Sequence, residues 1–503
     1  MIAESNKNGS GALFDRRAEG VLLAPGLLAP GLLAPGQADH QTGPAAPSAG
    51  RAEGQRLAVS SGARKQEQAE IGSHRLAFAG LFVFTLLLYV RPNELFPSAI
   101  GDFPIMKIVA ILTLIVYIGG KLGGGERLSI WPLEMSMLSV IIFLGIILIP
   151  IASAPNASIE LLTDTFFKVV VIFVLMINLV DTRKRLRMMM KVVVICGTGI
   201  SAGSILRFLE GRFTAAIQGV GVRIEGVVGG IFGNPNDLAM ALDLLLPLAV
   251  VLALTSKPAG RLFYSACAFV LAVGVVVTFS RGGFLGLAAA GGVLLWKLGR
   301  TNKLATAMAA LAACLVLAMS MPAGYADRLF TIIHSEQDAT NSAQERAGEM
   351  KQALEIASRH LVFGIGMGNY AFYSNHAIRA HNAYVEIAGE LGVSGLIAYL
   401  ILIFAPLRSL KRIERETSGT REHRIREMHL LSAGVYAAII GYVVCAMFSS
   451  AQYQWYLFYF VGYALSLRRL HAMKQTDNAE SENRGAQSSI EGGLFWKSEA
   501  VRG

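Results

Sequence analysis

Residues 381–407 read HNAYVEIAGELGVSGLIAYLILIFAPL, and the fold is decided by how this stretch divides. A polar loop ends at His381 and Asn382, and a short helical run follows. Gly392 and Gly395 then lead into the apolar LIAYLILIFAPL, which has the composition of a membrane-spanning helix. His381 is therefore expected where water meets lipid. Histidine's unperturbed pKa of about 6.5 lets it accept a proton near neutral pH, so the position suits either a plain interfacial residue or a proton acceptor.

Similar apolar runs recur outward from this one. Of the 503 residues, 53% are hydrophobic and 16% charged, and the mean hydropathy is +0.50. Such a composition, interrupted at intervals by polar loops, excludes a soluble multidomain protein. Runs of about 15 to 21 residues, near the roughly 20 needed to cross hydrocarbon, predict an all-α polytopic membrane protein with about twelve transmembrane helices. They fall near 76–91, 104–120, 133–152, 161–180, 187–206, 237–256, 261–279, 283–298, 304–321, 392–409, 430–450 and 453–468. The net charge of +10 does not point to nucleic acid, because Lys and Arg sit in short clusters between apolar runs rather than along one face.

Those clusters alternate. One set of loops holds Lys121 and Arg127; Arg183, Lys184, Arg185, Arg187 and Lys191; Lys257 and Arg261; Lys297, Arg300 and Lys303; and Lys411, Arg412, Arg415, Arg421, Arg424 and Arg426. The other set is sparse, with Arg91, Arg207, Arg212, Arg223 and Arg281 and nothing basic at Ala451 and Gln452. By the positive-inside rule the basic loops and both termini face the cytoplasm. Two loops of real content, 207–236 and 322–391, are left on the opposite side. The second joins spans nine and ten and is too long for a plain connector.

Residues 1–74 are rich in Gly, Ala, Pro, Gln and Ser, with too few bulky apolar residues to bury a core, and are expected to form a disordered, low-complexity cytoplasmic tail. Three copies of LLAPG between Leu22 and Gly36 place Pro and Gly too densely for a helix. A second disordered tail is expected at 474–503, which leaves 75–473 as the membrane domain. In the 322–391 loop, Ala347, Met350, Leu354 and Ala357 recur at helical spacing and predict an amphipathic helix against the bundle or the membrane surface. Gly364, Gly366 and Gly368 follow; with no strand before them they read as a flexible turn rather than a phosphate cradle.

Four histidines lie on the sparse side, His334, His360, His376 and His381, and His381 alone stands at a loop-to-span junction. Arg281, in TFSRGGFLG, carries charge where charge is disfavoured. It is either a snorkelling helix end or a planar fork of donors for phosphate oxygens. Arg223 opens a glycine-rich stretch leading to Asn234, Pro235, Asn236 and Asp237, which suits a turn and a helix cap; capping alone accounts for Asn236 or Asp237. Two arginines able to grip a polyanion and a histidine able to deprotonate an alcohol fit a lipid-linked diphosphate as donor. No exposed carboxylate cluster calls for a metal, with Asp237, Glu345 and Glu390 the carboxylates that could bind or orient one. Cys196, Cys267, Cys314 and Cys445 lie in apolar runs without metal-ligand spacing or an exposed partner, so neither a disulfide nor a metal site is expected.

At these residues the chain resembles the O-antigen ligase family, whose signature is His, then Asn, Ser or Gln, nine residues, Gly, two residues, and Gly, Thr or Tyr. His381-Asn382, AYVEIAGEL and Gly392-Val393-Ser394-Gly395 fit without a gap. The resemblance runs from YVRPNELFP around Arg91 through Asn234-Pro235-Asn236 and Ser280-Arg281-Gly282-Gly283 to the last span. It implies a GT-C-type glycosyltransferase of the bacterial inner membrane, working at the periplasmic face without metal, nucleotide or other cofactor. The implied donor is an undecaprenyl-diphosphate-linked glycan and the acceptor a lipid A-core sugar or another saccharide. It assigns His381 as general base and Arg281 and Arg223 to the diphosphate, with Asn382, Gly392, Gly395 and Asn236 supporting. The same domain serves repeat-unit polymerases and protein O-oligosaccharyltransferases, which stay open as alternatives. A polysaccharide transporter is the non-enzymatic reading; it would need charges along the bundle midplane, where this sequence has only Lys168 and Asp243.

Overall fold

The computed structural model describes residues 74–476, apart from 102, 126, 213–223, 225, 230–231, 300–302, 305–306, 309–310, 312–341, 375–378 and 421 and the side chains of 99–100 and 342–345. Among the described residues every regular element is helical. In chain order the longer ones are α1 (74–90), α2 (Ile105–Gly123), α3 (Leu133–Ile147), α4 (Phe167–Leu179), α5 (Arg183–Leu209) and α6 (Pro235–Leu254). Then come α7 (Pro258–Val277), α8 (Arg281–Gly299), α9 (Ser342–Arg359), α10 (Ala383–Glu416), α11 (His423–Cys445) and α12 (455–476). Eight of these, α1, α2, α5, α6, α7, α8, α10 and α11, are long and apolar enough to cross a membrane.

Apolar residues all round a helix require that one face meet protein and the other meet lipid. α2 buries Ala110, Thr113 and Tyr117 while turning Ile108, Ile111, Leu112 and Ile115 outward, and α7 bares Leu262, Phe263 and Phe269. Exposed apolar surface on this scale belongs in a bilayer. The chain is a multi-pass membrane protein. α6 is its central helix, buried along almost its whole length and packed by α5, α7, α8 and α11.

The basic loops gather at one end of the bundle. Buried Glu427 of α11 takes both Arg183 and Arg187 of α5, and buried Glu134 of α3 takes Arg468 of α12 at 3.0 Å. Lys297 of α8 pairs with Glu414 of α10 and stands 3.7 Å from the centre of the Tyr436 ring. A buried carboxylate is tolerated when it is paired in this way, and each pair ties together helices distant in sequence.

Several expected boundaries shift. α3 stops at Ile147 and a 3-10 turn, Ile149–Ile151, follows, because Pro150 supplies no N–H to continue the helix. The run at 161–180 opens as a π-helical turn, Leu161–Phe166. The run at 304–321 falls mostly outside the described residues. α11 ends at Cys445 and α12 starts at 455, so residues 446–454 form a real loop where only two residues were expected. The amphipathic helix of the long loop is α9, but its buried stripe is Ala353, Ile356 and Ala357, and Leu354 is exposed. The reason is its partner: Ile365, Tyr370, Ala380 and Val385 gather on the Ala353 and Ile356 side.

Candidate active site

His381 adopts a left-handed backbone conformation, φ 47°. For a residue other than glycine such strain costs of order 1–3 kcal/mol and persists only where the surroundings over-determine it. Here they do. The Asn382 side chain caps α10, its Oδ1 accepting from the N–H of Tyr384 at 3.0 Å and of Val385 at 3.1 Å. The Ala383 N–H donates to the Ala446 carbonyl at 2.8 Å, and the Ala380 N–H donates to the Glu386 carboxylate at 3.2 Å. Backbone on both sides of His381 is thus fixed, by its own helix start and by the end of α11.

The helix that begins there does not run straight. Gly392 has φ 70° and ψ −173° inside α10, and the carbonyls this frees are taken up by the glycine-rich loop. The Ile365 N–H donates to Gly389 and the Gly366 N–H to Glu390, each at 3.0 Å, while the Val393 N–H donates to Leu361 at 2.7 Å. A Cβ at position 392 would sit 2.5 Å from the Val362 carbonyl oxygen, and one at 395 would sit 2.3 Å from the Leu391 Cβ. Gly392 supplies the backbone angle and Gly395 the room for Leu391 to fold against it. Gly364, Gly366 and Gly368, read as a flexible turn, all have positive φ and are docked into this break.

The turn seats the first arm of α10 on a polar loop. Glu386, buried, accepts from Ser450 Oγ and from Gln452 Nε2 at 2.9 Å. Glu390, also buried, accepts from the Tyr453 hydroxyl at 2.8 Å and the Tyr370 N–H at 3.1 Å. Burial, with Glu386 and Glu349 nearby, pushes the Tyr370 phenol up to about 12, so it stays protonated. All four 446–454 loop residues engaged here, Ala446, Ser450, Gln452 and Tyr453, were invisible to the sequence reading.

The same loop reaches the arginine-bearing turn. Asn234, not Asn236 or Asp237, caps α6, accepting from the Asn236 N–H at 2.8 Å. The two residues expected as caps are therefore free to reach across. Asn236 Oδ1 accepts from Ser280 Oγ at 2.8 Å, and Asp237 Oδ1 accepts from Ser449 Oγ at 2.6 Å. Ser280 in turn accepts from the Gly283 N–H at 3.1 Å, placing Arg281 at the start of α8. A Cβ on Gly283 would meet that of Ala239 at 2.4 Å, so α8 comes to α6 as closely as its glycine permits. Hydrogen bonds and chain neighbours thus lead from Arg281 through Ser280, Asn236, Asp237, Ser449, Ser450 and Glu386 to Ala380, beside His381. Arg379 belongs here too. It lies within electrostatic reach of Asp237 and within 3.4 Å of the Ser450 carbonyl, and its only sequence signal was a basic residue two before His381.

Arg223 lies outside the described residues, as do His334 and His376. Of the other arginines of the 207–236 loop, Arg207 donates to the Gly226 carbonyl at 2.8 Å, and exposed Arg212 pairs with Glu210 at 3.1 Å. His360 packs edge-on against Tyr373 at 5.2 Å. Asp243 of α6 is buried and accepts from Cys445 Sγ at 3.3 Å. Lys168 stands 3.5 Å from Asp164.

These features define a multi-pass helical membrane protein with a built polar site at the end of the bundle away from its basic ion pairs. Residues 266–400, which include Arg281, His381, Asn382, Gly392 and Gly395, match the family model described as O-antigen ligase. Over that stretch the chain is similar to the O-antigen ligase family. No curated protein matches the chain.

Proposed function

We propose that the protein transfers a glycan from an undecaprenyl diphosphate carrier to a sugar hydroxyl, with a lipid A-core saccharide as acceptor, at the periplasmic face of a bacterial inner membrane. In this reading twelve GT-C-type helices cross the bilayer and both termini are cytoplasmic. His381 takes the proton of the acceptor hydroxyl as its oxygen attacks the anomeric carbon; the bond from that carbon to the phosphate oxygen breaks and undecaprenyl diphosphate leaves. Arg281 and Arg223 hold the diphosphate and offset its charge as it departs, Arg281 with the added dipole of the α8 N-terminus. The chemistry needs no metal or nucleotide.

The observation that carries this reading is the strained His381, whose chain neighbours are fixed by the Asn382 cap on Tyr384, by the Ala383 bond to Ala446 and by the Ala380 bond to Glu386, at the bundle end where Arg281 starts α8. Strain kept under such constraint is characteristic of sites that hold a group ready for chemistry. The test is reconstitution of purified protein with carrier-linked glycan and candidate acceptors, without metal or nucleotide. Glycan bound to lipid A-core supports a ligase, longer glycan still on its carrier a repeat-unit polymerase, and glycan on protein an O-oligosaccharyltransferase. Glycan that changes side with no bond formed points to a transporter and overturns the proposal.

A further inference from the structure

The loop latched into the break of α10 leaves an apolar surface bare. Leu361, Val362 and Phe363 are exposed at 50%, 69% and 69%, and Phe372 and Tyr373 of the adjoining turn Tyr370–Tyr373 are exposed as well. The two segments are neighbours, since Tyr373 packs on His360, the residue before Leu361. Five apolar or aromatic side chains facing water on one short stretch are costly and mark a surface made for contact.

What covers them follows from where the loop is fixed. The Leu361 carbonyl accepts from the Val393 N–H, so the loop lies at the first residue of the second arm of α10. That arm bares Val393, Ile397 and Phe404, and the loop is bonded at the first of these. From Val393 to Leu410, just before Lys411 and Arg412, the arm rises about 26 Å at 1.5 Å per residue, close to the roughly 30 Å thickness of a hydrocarbon core. With Lys411 and Arg412 at one boundary, Val393 stands at the other. Tyr373 is of the kind that collects at that level, and Phe363 and Phe372 are of the kind that interfacial anchors bury just beneath it.

We infer that residues 361–363, together with Phe372 and Tyr373, form a wedge that inserts into the lipid leaflet beside Val393 and pins the turn of α10 at the hydrocarbon boundary. The latch itself is made by backbone groups of Leu361, Ile365 and Gly366, so the side chains of Leu361, Val362 and Phe363 are free for lipid. This inference needs only the membrane location and stands whether or not the glycan-transfer reading does.

The test uses the full chain carrying Phe363→Trp in bilayer discs, with its emission compared with that of wild type. Quenchers are phosphatidylcholine brominated near the carbonyl end of its acyl chains and, separately, aqueous iodide. The added emission should be quenched at least about twofold more by the brominated lipid, as for an interfacial anchor. Iodide quenching with no response to brominated lipid would make this a solvated loop and overturn the inference. Silence toward both would mean that another segment of the chain covers the surface, which also overturns it. Should Phe363→Trp not fold, Val362→Trp and Phe372→Trp read the same surface.

Discussion

The rings of Tyr384 and Tyr399 lie 6.0 Å apart, although fifteen residues of α10 separate them. In a straight helix their Cα atoms would be about 22 Å apart. Their hydroxyls end on adjacent residues of α11: Tyr384 donates to the Val443 carbonyl at 2.8 Å, and Tyr399 bonds the Tyr442 hydroxyl at 2.6 Å. Both arms of the broken helix thus rest against the same place on one neighbour, and the turn between them fixes how Ala383, two residues after His381, meets Ala446.

Gly392→Ala should be poorly tolerated. It forces a side chain into φ 70° and against the Val362 carbonyl, a cost of at least about 1–3 kcal/mol. Thermal unfolding in detergent should show a fall in Tm larger than that of an Ala substitution at the unhindered Gly291; equal values would mean the turn is not rigid.

Position 381 separates stability from chemistry. Glycine is at ease at φ 47° and alanine is not, so His381→Gly should be more stable than His381→Ala by about 1 kcal/mol. Both should abolish transfer while carrier-linked glycan accumulates. Normal surface polysaccharide in either variant removes His381 from the mechanism.

Glu386 holds the segment before His381 without being the proposed base. Glu386→Ala should lower kcat about tenfold or more by loosening that segment, with donor KM within about twofold, and Glu386→Gln should be milder because it keeps an acceptor oxygen. A pure KM effect would instead make Glu386 a donor-binding residue.

Arg281→Lys keeps the charge but loses the planar fork. Donor KM should rise about tenfold or more with little change in protein yield, measured with carrier-linked glycan as the varied substrate. Wild-type donor affinity would return Arg281 to the role of a snorkelling helix end.

Much of this was legible along the chain. The loop end at His381-Asn382, the short helical run after it and the two glycines before the apolar span were legible, because each is set by local backbone chemistry; the cap made by Asn382 and the break at Gly392 were not. The direction of the break was not legible, since it depends on the carbonyls of Leu361 and Val362, about thirty residues away. Nor was the seat formed by Ser449, Ser450, Gln452 and Tyr453, because uncharged residues between two apolar runs look like a tight turn. Asn236 and Asp237 were read as caps because sequence cannot say which of three polar residues before a helix turns inward; Asn234 does.

The latch and the seat are also separated in time. The turn joins residues 361–366 to 389–393, so it can form as soon as α10 has been made. The seat of His381 needs Ala446, Ser450 and Gln452 from the last loop. Synthesis proceeds from the N-terminus, and a chain halted after α10 would own its turn and its Asn382 cap but lack the loop that Ala383 and Glu386 bond to. On the proposed reading, competence arrives with the last hairpin, and the nascent chain stays idle until its final two helices are in the membrane.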